Sequence, residues 1–587
     1  MKTTQPFVLF DDARKNAGMR LYADPVRILT CTRPEDVAQT LADIDRAVDA
    51  GLHVAGYLAY ELGYALEPKL APLCPQNLDA PLIWMGVFKA PQMLATDEAA
   101  ALMAAWAKDG YEVGAMQSDM TRDRYLTNVE TVRDHIRAGD VYQINYTFKQ
   151  SFDYSGSPLG LYAHLRSRQR ARFGAVIHTG DRHILSLSPE LFIEVHGDTA
   201  RTRPMKGTAA RAASPQGDAE RRHWLCHDEK SQAENLMIVD LLRNDLGRIA
   251  ALGTVAVTDL FSVETYPTLH QMTSGIEANL RSGTAFSDVL GALYPCGSVT
   301  GAPKVKAMEI IQGLEDGPRG VYTGAIGFAS AEATRFNVAI RTLTLDPGGY
   351  GEMGIGSGIV YDSDPVQEWD ECHLKARFLT EDAPSFQVLE TLKWTPEDGW
   401  GLLRHHLDRL RESAAYFCYD YDPNTVTAAL NAAVTGQTAP QRVRLTLNAQ
   451  GRVEVETLPL TQPAHGNVMT YAVSNQTVDT SNPFTYHKTT NRAFYDDART
   501  GVSADEVLFL NAQGQLTEGS ITNIFVEKDG QLLTPPIACG LLAGTLRREL
   551  LDSGRCVEAV LTRADLKASE RVYLGNSVRG LVLAKAE

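Results

Sequence analysis

Two lysines lie in settings that suit an amine to chemistry. Lys206 sits in Pro204-Met205-Lys206-Gly207-Thr208, between a residue of fixed φ and one without a Cβ, downstream of Glu190 in Ser188-Pro189-Glu190-Leu191-Phe192. A stiff turn that presents a primary amine near a carboxyl supplies a nucleophile and a general acid. Lys488, in His487-Lys488-Thr489-Thr490-Asn491-Arg492, belongs to a second, unrelated setting. A third feature is anionic: Glu234 opens the run 234–245, while Glu368 and Glu371 stand one helical turn apart and can face one point. Hard oxygen donors of this kind suit Mg2+, which takes a few carboxylates and completes its shell with water and substrate oxygens. Two lysine chemistries in one polypeptide predict consecutive steps.

These residues need a frame of mixed elements. Apolar runs at 54–60, 175–178 and 191–195 predict strands, and 231–242 carries a helical pattern. A helix ending near Arg377 gives way to a polar, Pro-containing stretch, so a boundary is expected across 378–385, dividing the chain into domains at 1–380 and 386–587. Beyond it, 386–392 alternates like a strand and 403–416 like a helix. The segment 507–510, followed by Asn511-Ala512-Gln513-Gly514-Gln515 and then by 521–526, predicts a hairpin. A helix over 545–551 would open at Gly544.

Length and charge bound the function. At 587 residues the chain exceeds one core, and 44% hydrophobic with 22% charged residues is an ordinary globular composition. A formal charge of −16 with no dense basic run argues against nucleic acid as a partner. The start, Met1-Lys2-Thr3-Thr4-Gln5-Pro6, lacks a secretory pattern, and no apolar run is long enough for a bilayer, so no membrane partner and a cytoplasmic location are expected. The eight cysteines are scattered without a Cys-x-x-Cys pair, which predicts reduced thiols in packed positions.

Over roughly the first 380 residues the chain resembles the chorismate-utilising family, which includes anthranilate, isochorismate, salicylate and aminodeoxychorismate synthases. The resemblance rests on 56–61, 139–145, 188–192, 234–245, Gly297-Ser298-Val299-Thr300-Gly301-Ala302-Pro303-Lys304, Ile340-Arg341-Thr342 and Gly356-Ser357-Gly358-Ile359-Val360. It implies a large two-sheet α+β domain like anthranilate synthase component I. It further implies that Glu234 and Glu371, with Glu368 nearby, hold magnesium on the ring carboxylate of chorismate. Arg341, Thr300, Gly301, Gly356, Ser357, Gly358, Lys375 and Tyr322 would bind the substrate, and His270 would orient or polarise it. Members that add water at ring C2 resemble one another in carrying a Lys base where this chain has Gln143, and an amide cannot take a proton from water. Lys206 stands where anthranilate synthases typically have Ala and the aminodeoxychorismate branch has Lys. That branch implies attack of Lys206 on C2, proton donation by Glu190 to the departing C4 hydroxyl, and entry of ammonia at C4.

From about Phe386 onward the chain resembles the class IV, fold type IV pyridoxal-phosphate enzymes, an α/β fold whose members include amino-acid aminotransferases and aminodeoxychorismate lyase. The matching pieces are 389–391, 406–410, 487–492, 516–523, 542–547 and 576–580. The resemblance implies pyridoxal 5'-phosphate held by Lys488, with Glu518 on the pyridine nitrogen and Arg409 on the phosphate. Thr522, Asn523, Gly544, Thr545 and Leu546 complete the cofactor site. Fused to the first domain, such a site is expected to release pyruvate and leave 4-aminobenzoate, a folate precursor. The alternative is an anthranilate synthase component I fused to a class IV amino-acid aminotransferase. The sequence carries no Gly-x-Cys-x-Gly turn with a downstream His-x-Glu, so a separate glutamine amidotransferase subunit is the expected ammonia source. A homodimer is the expected assembly.

Overall fold

A computed structural model describes residues 5–14, 18–76, 78–380, 384–460 and 468–587. It divides into two compact units: 1–209 with 224–382, and 210–223 with 383–587. Among the described residues, the first unit holds an 11-stranded and a 10-stranded sheet whose strand pairs are antiparallel. Side chains that alternate toward one face of each sheet meet in a shared core: Val8, Tyr22, Ala175 and Ile177 from the first, with Ala55, Tyr57, Trp84 and Phe328 from the second. Helices cover the outer faces. Val37–Asp49, Glu229–Gly247 and Phe286–Leu293 bury Ile44, Ile238 and Leu290 against the second sheet. Arg122–Arg137 and Pro365–Thr380 bury Val129 and Cys372 against the first.

The expected strands appear at His53–Leu58, Phe173–His178 and Leu191–His196. The first stops at Leu58, short of the expected Tyr60, because the Tyr60 amide turns to the Gly320 carbonyl. Two elements define the first site. Leu191–His196 pairs with Thr199–Arg203, and the chain then runs through Pro204 into the strand Met205–Ala210, which carries Lys206. The helix Glu229–Gly247 starts at Asp228, whose carboxylate caps the Ser231 amide at 2.9 Å, and backs that strand. Asn235 on this helix donates to the Lys206 carbonyl at 3.3 Å, and Ser274 donates to Asn235 at 2.5 Å.

The helix expected to end near Arg377 continues to Thr380; the centre of the boundary stretch, 381–383, and Met1 to Thr4 of the amino terminus lie outside the described residues. In the second unit, a four-stranded antiparallel sheet buries one face under the helices Leu403–Tyr416 and Pro423–Val434, and an eight-stranded mixed sheet carries the remaining strands. The first strand spans Val388–Thr395. The segment 210–223 belongs to this unit as well: Arg211 lies 4.2 Å over the Tyr416 ring, whose hydroxyl donates to the Ala212 carbonyl, and Tyr416 packs 4.2 Å from His487.

The hairpin expected between 507–510 and 521–526 does not form. Glu506–Asn511 turns back onto the short strand Leu516–Gly519, and Asn523–Lys528 pairs instead with Arg571–Asn576. The reason is local. The buried Glu506 carboxylate accepts from the amides of Ser520 and Ile521 and the hydroxyls of Ser520 and Thr522, which fixes a break where continuous pairing was expected.

Candidate active sites

At the first site, Lys206 and Gln143 approach the same glycine. A Cβ built at Gly358 would stand 2.7 Å from Lys206 Nζ and 2.9 Å from Gln143 Nε2, so a side chain there would push both side-chain ends aside. Gln143 is fully buried, and neither its amide oxygen nor its nitrogen has a hydrogen-bond partner among the described residues. An unsatisfied buried amide costs about 1–3 kcal/mol, and such groups are rare outside functional sites. The Gly301 backbone closes the same wall: its φ is +147°, and a Cβ there would fall 2.3 Å from the Gln143 carbonyl oxygen.

Burial shifts both the amine and the acid toward their neutral forms. Burial pushes the Glu190 carboxyl up to about 7, against the Ser298 hydroxyl, which donates to it at 2.6 Å, and the charge of Lys206. Burial lowers the Lys206 ammonium from its ordinary value, although Glu234 and Glu190 pull it back toward the charged form. If Glu190 delivers a proton, its working form disappears as pH rises through about 7, and kcat/KM for amination should fall on that limb. Glu190→Gln should remove the limb together with most of the rate, as a pH profile of product formation would reveal. An unchanged alkaline limb in the variant would assign it to another group.

Glu234, Glu368 and Glu371 are within electrostatic reach of one another, and burial together with the other two carboxylates raises Glu234. They are not drawn together as a metal cage. Among the described residues no three Asp, Glu, His or Cys side chains stand close enough to hold an ion. Glu371 is paired with Lys375 at 2.7 Å, and Glu368 accepts from Ser363 at 2.7 Å. The donor set still fits magnesium in kind, because the mutual repulsion that raises Glu234 is relieved by a hard divalent cation. Lys375 also donates to the Gly356 carbonyl at 3.0 Å, and Ser357 bonds the Tyr125 hydroxyl at 3.0 Å. Thr300 is buried, with its hydroxyl on the Cys296 carbonyl, and Tyr322 lies against Gly354, where a Cβ would meet the ring at 2.0 Å.

Arg341 adopts φ +51° and donates to the neutral amide of Gln169 at 3.3 Å; burial lowers it, and among the described residues it has no carboxylate partner. His270 is buried on Leu269–Asn279, its Nδ1 3.1 Å from the Thr265 hydroxyl. Its neighbour Gln271 donates to the Gly207 carbonyl and so ties this strand to the Lys206 turn. Sequence reasoning passed over Ser298, Asn235 and Ser274 as supports. Ser298 and Asn235 carried a signal, because they lie inside the 297–304 and 234–245 runs, whereas Ser274 carried none.

The second site is a cavity of about 300 Å³ in the second unit, lined by Arg409, Lys488, Glu518, Asn523, Gly544 and Thr545 among others. Burial, reinforced by the charges of Arg409 and Arg492, lowers the Lys488 amine to about 8. Its backbone carbonyl accepts from the Leu389 amide at 2.8 Å, which fixes the start of the side chain. Burial raises Glu518 to about 8, and the Tyr495 hydroxyl donates to it at 2.9 Å. Arg409 is bidentate to the buried Glu390 at 2.8 and 2.6 Å, with His406 on the same carboxylate. Burial opposes ionisation of Glu390, yet Arg409 and His406 hold it down to about 2.

Gly544 caps the helix Thr545–Asp552, and a Cβ at this position would lie 1.7 Å from Asn523 Oδ1, which is itself fixed because Asn523 Nδ2 donates to the Leu542 carbonyl. The amides that follow form an anion cradle at a helix amino terminus. A lysine of lowered pKa, an acid for a ring nitrogen, an oriented arginine and this cradle together fit pyridoxal phosphate. Leu546 packs toward Gly575, and Thr522 bonds Glu506, so both support the wall. Gly544→Ala should therefore weaken cofactor binding about tenfold or more. Titration of the visible absorbance would measure it, and an unaltered affinity would remove the cradle.

Comparison with known proteins agrees with the two-part division of chemistry. The model of the chorismate binding enzyme family matches residues 5–381, and that of class IV amino-transferases matches 387–586. The chain belongs to the chorismate binding enzyme family, fused to a class IV aminotransferase domain. Aminodeoxychorismate synthase component 1 of Escherichia coli K12 is 42% identical over 256 residues, 43% of this chain and 56% of that protein. Anthranilate synthase component 1 of Streptomyces coelicolor is 39% identical over 264 residues, 45% of this chain and 52% of that protein. The chain spans about half the length of the curated relatives it matches. The crystal structure of anthranilate synthase component I from Streptococcus pneumoniae shares the fold, with TM-score 0.53 and 24% identity over 65% of this chain and 93% of that one. Among the described residues no helix is long and apolar enough to cross a membrane.

Proposed function

We propose that residues 1–380 aminate chorismate at ring C4 and that residues 386–587 release pyruvate from the product, giving 4-aminobenzoate. The observation that carries this reading is the convergence of Lys206 and Gln143 on Gly358, with the raised Glu190 carboxyl in reach of the amine. Without its proton, Lys206 attacks C2 while Glu190 protonates the leaving C4 hydroxyl. The C2–N bond forms, both ring double bonds shift by one position and water departs from C4. Ammonia then adds at C4, both double bonds shift back, the C2–N bond breaks and the lysine leaves as a free amine. Without the lysine, ammonia itself would add at C2, which is the anthranilate outcome.

Magnesium, held by Glu234, Glu368 and Glu371, would neutralise the ring carboxylate, and Arg341, lacking a carboxylate partner, would take the other one. Gln143 supplies an amide for hydrogen bonding but no base for water, which supports amination over hydration. Bound pyridoxal phosphate supplies the electron sink of the second reaction. In that reaction Lys488 takes the proton from ring C4, the enolpyruvyl oxygen leaves C3 and is released as pyruvate, and the ring becomes aromatic. Glu518 would hold a proton at the cofactor ring nitrogen, and Arg409, oriented by Glu390, would grip the phosphate.

The relative named component 1 supports a separate ammonia-supplying subunit, a glutamine amidotransferase, with ammonium as its substitute in vitro. Incubation with chorismate, ammonium, magnesium and pyridoxal phosphate should yield para-aminobenzoate and pyruvate. Identification of the ortho isomer as the product would overturn the reading in favour of an anthranilate synthase joined to an aminotransferase.

A further inference from the structure

The second cavity carries more positive charge than its cofactor requires. Besides Lys488 and Arg409, whose charge Glu390 balances, Arg442, Arg444, Arg492 and Arg579 line it, while Glu518 is the acidic residue of the described wall. The strand Gln441–Leu447 explains two of them. Val443 and Leu445 point into the core beneath the helices, so Arg442 and Arg444 project from the opposite face, where Arg444 stands across from Thr391 at the cavity wall.

Their partners differ. Arg492 donates to the Ser520 carbonyl and pairs with Asp496 at 3.8 Å, and Arg444 has an exposed pair with Glu456 at 3.6 Å. Among the described residues neither the Arg442 nor the Arg579 guanidinium has a carboxylate partner. An amino acid entering a transaminase site brings one carboxylate, which a single arginine satisfies. Unpaired arginines from two separate segments at one cavity match a ligand with a second, distant carboxylate.

We infer that Arg442 and Arg579 form a receptor for the second carboxylate of a ring-borne dicarboxylate amine, making the cavity selective for such substrates over simple amino acids. This rests on the pyruvate-releasing reaction proposed above and identifies the residues that would direct the site toward it. The two guanidiniums bind the carboxylate remote from the reacting amine, so their contribution is to binding of the ground state and transition state alike.

The test uses the full-length holoenzyme and the double variant R442Q/R579Q. For purified 4-amino-4-deoxychorismate the variant should raise KM for pyruvate release by roughly tenfold or more with kcat within about twofold. Its cofactor absorbance should match that of the wild type. In parallel, the visible cofactor band is titrated with 3-(carboxymethoxy)benzoate, which carries two carboxylates on a ring, and with benzoate, so that binding at this cavity is read without turnover. The wild type should prefer the dicarboxylate, and the variant should lose the preference. Equal affinities for the two probes in the wild type, or an unchanged preference in the variant, would overturn the receptor. Failure of the wild type to release pyruvate would instead overturn the proposed reaction, while the probe titration would still decide the receptor.

Discussion

Lys206→Ala should lower formation of 4-amino-4-deoxychorismate by ~10³-fold or more, with any residual nitrogen incorporation appearing at C2 as ortho-aminobenzoate. The size follows from losing a covalent route, because the neighbouring amine, Lys375, is held charged by Glu371 at 2.7 Å and donates to the Gly356 carbonyl at 3.0 Å. Gln143 is an amide, and Glu190 is placed as an acid. Lys206→Arg is the informative companion. It preserves positive charge beside Glu234 and Glu190, but a guanidinium stays protonated and does not attack carbon. If the lysine acted only through its charge, the Arg variant would recover much of the rate. Product identification by chromatography separates the cases, and normal C4 amination by the Ala variant would eliminate the covalent mechanism.

Lys488→Ala should abolish both the visible absorbance of the bound cofactor and pyruvate release, the latter by ~10³-fold or more, with the first reaction running at its usual rate. The intermediate should then accumulate. The amine is suited to proton transfer near neutral pH because burial and two neighbouring guanidiniums hold it at about 8, well below an ordinary lysine. Retained pyruvate release with the absorbance gone would place the proton transfer on another group. Loss of the first reaction as well would mean that the two sites do not operate independently.

Much of this was legible in the residues themselves. The helix 403–416 appears at Leu403–Tyr416 because its apolar spacing faces one sheet, and the 191–195 strand appears because alternation there coincides with burial. The hairpin near 507–526 was misread for a reason sequence periodicity cannot reveal. The two segments have strand character, but a buried carboxylate at Glu506 organises the intervening turn, and its partners are defined only in three dimensions. Similarly, the lysines and carboxylates could be singled out by chemistry, whereas the pairing of Glu371 with Lys375 and the unpaired amide of Gln143 depend on distances that no spacing encodes. In the structure Glu371 meets the Lys375 ammonium one turn along the helix, a pairing that the spacing allows but does not select.

The assignment of 210–223 to the second unit bears on how such a gene could be split. Severing it at the junction near 384 would give a carboxy-terminal product missing the guanidinium that covers Tyr416, and would expose to solvent an aromatic ring that leans on the neighbour of Lys488. The chain enters the second unit at 210, returns to the first at 224 and leaves it again near 383, so the fusion is also an interleaving of chain that one cut does not undo.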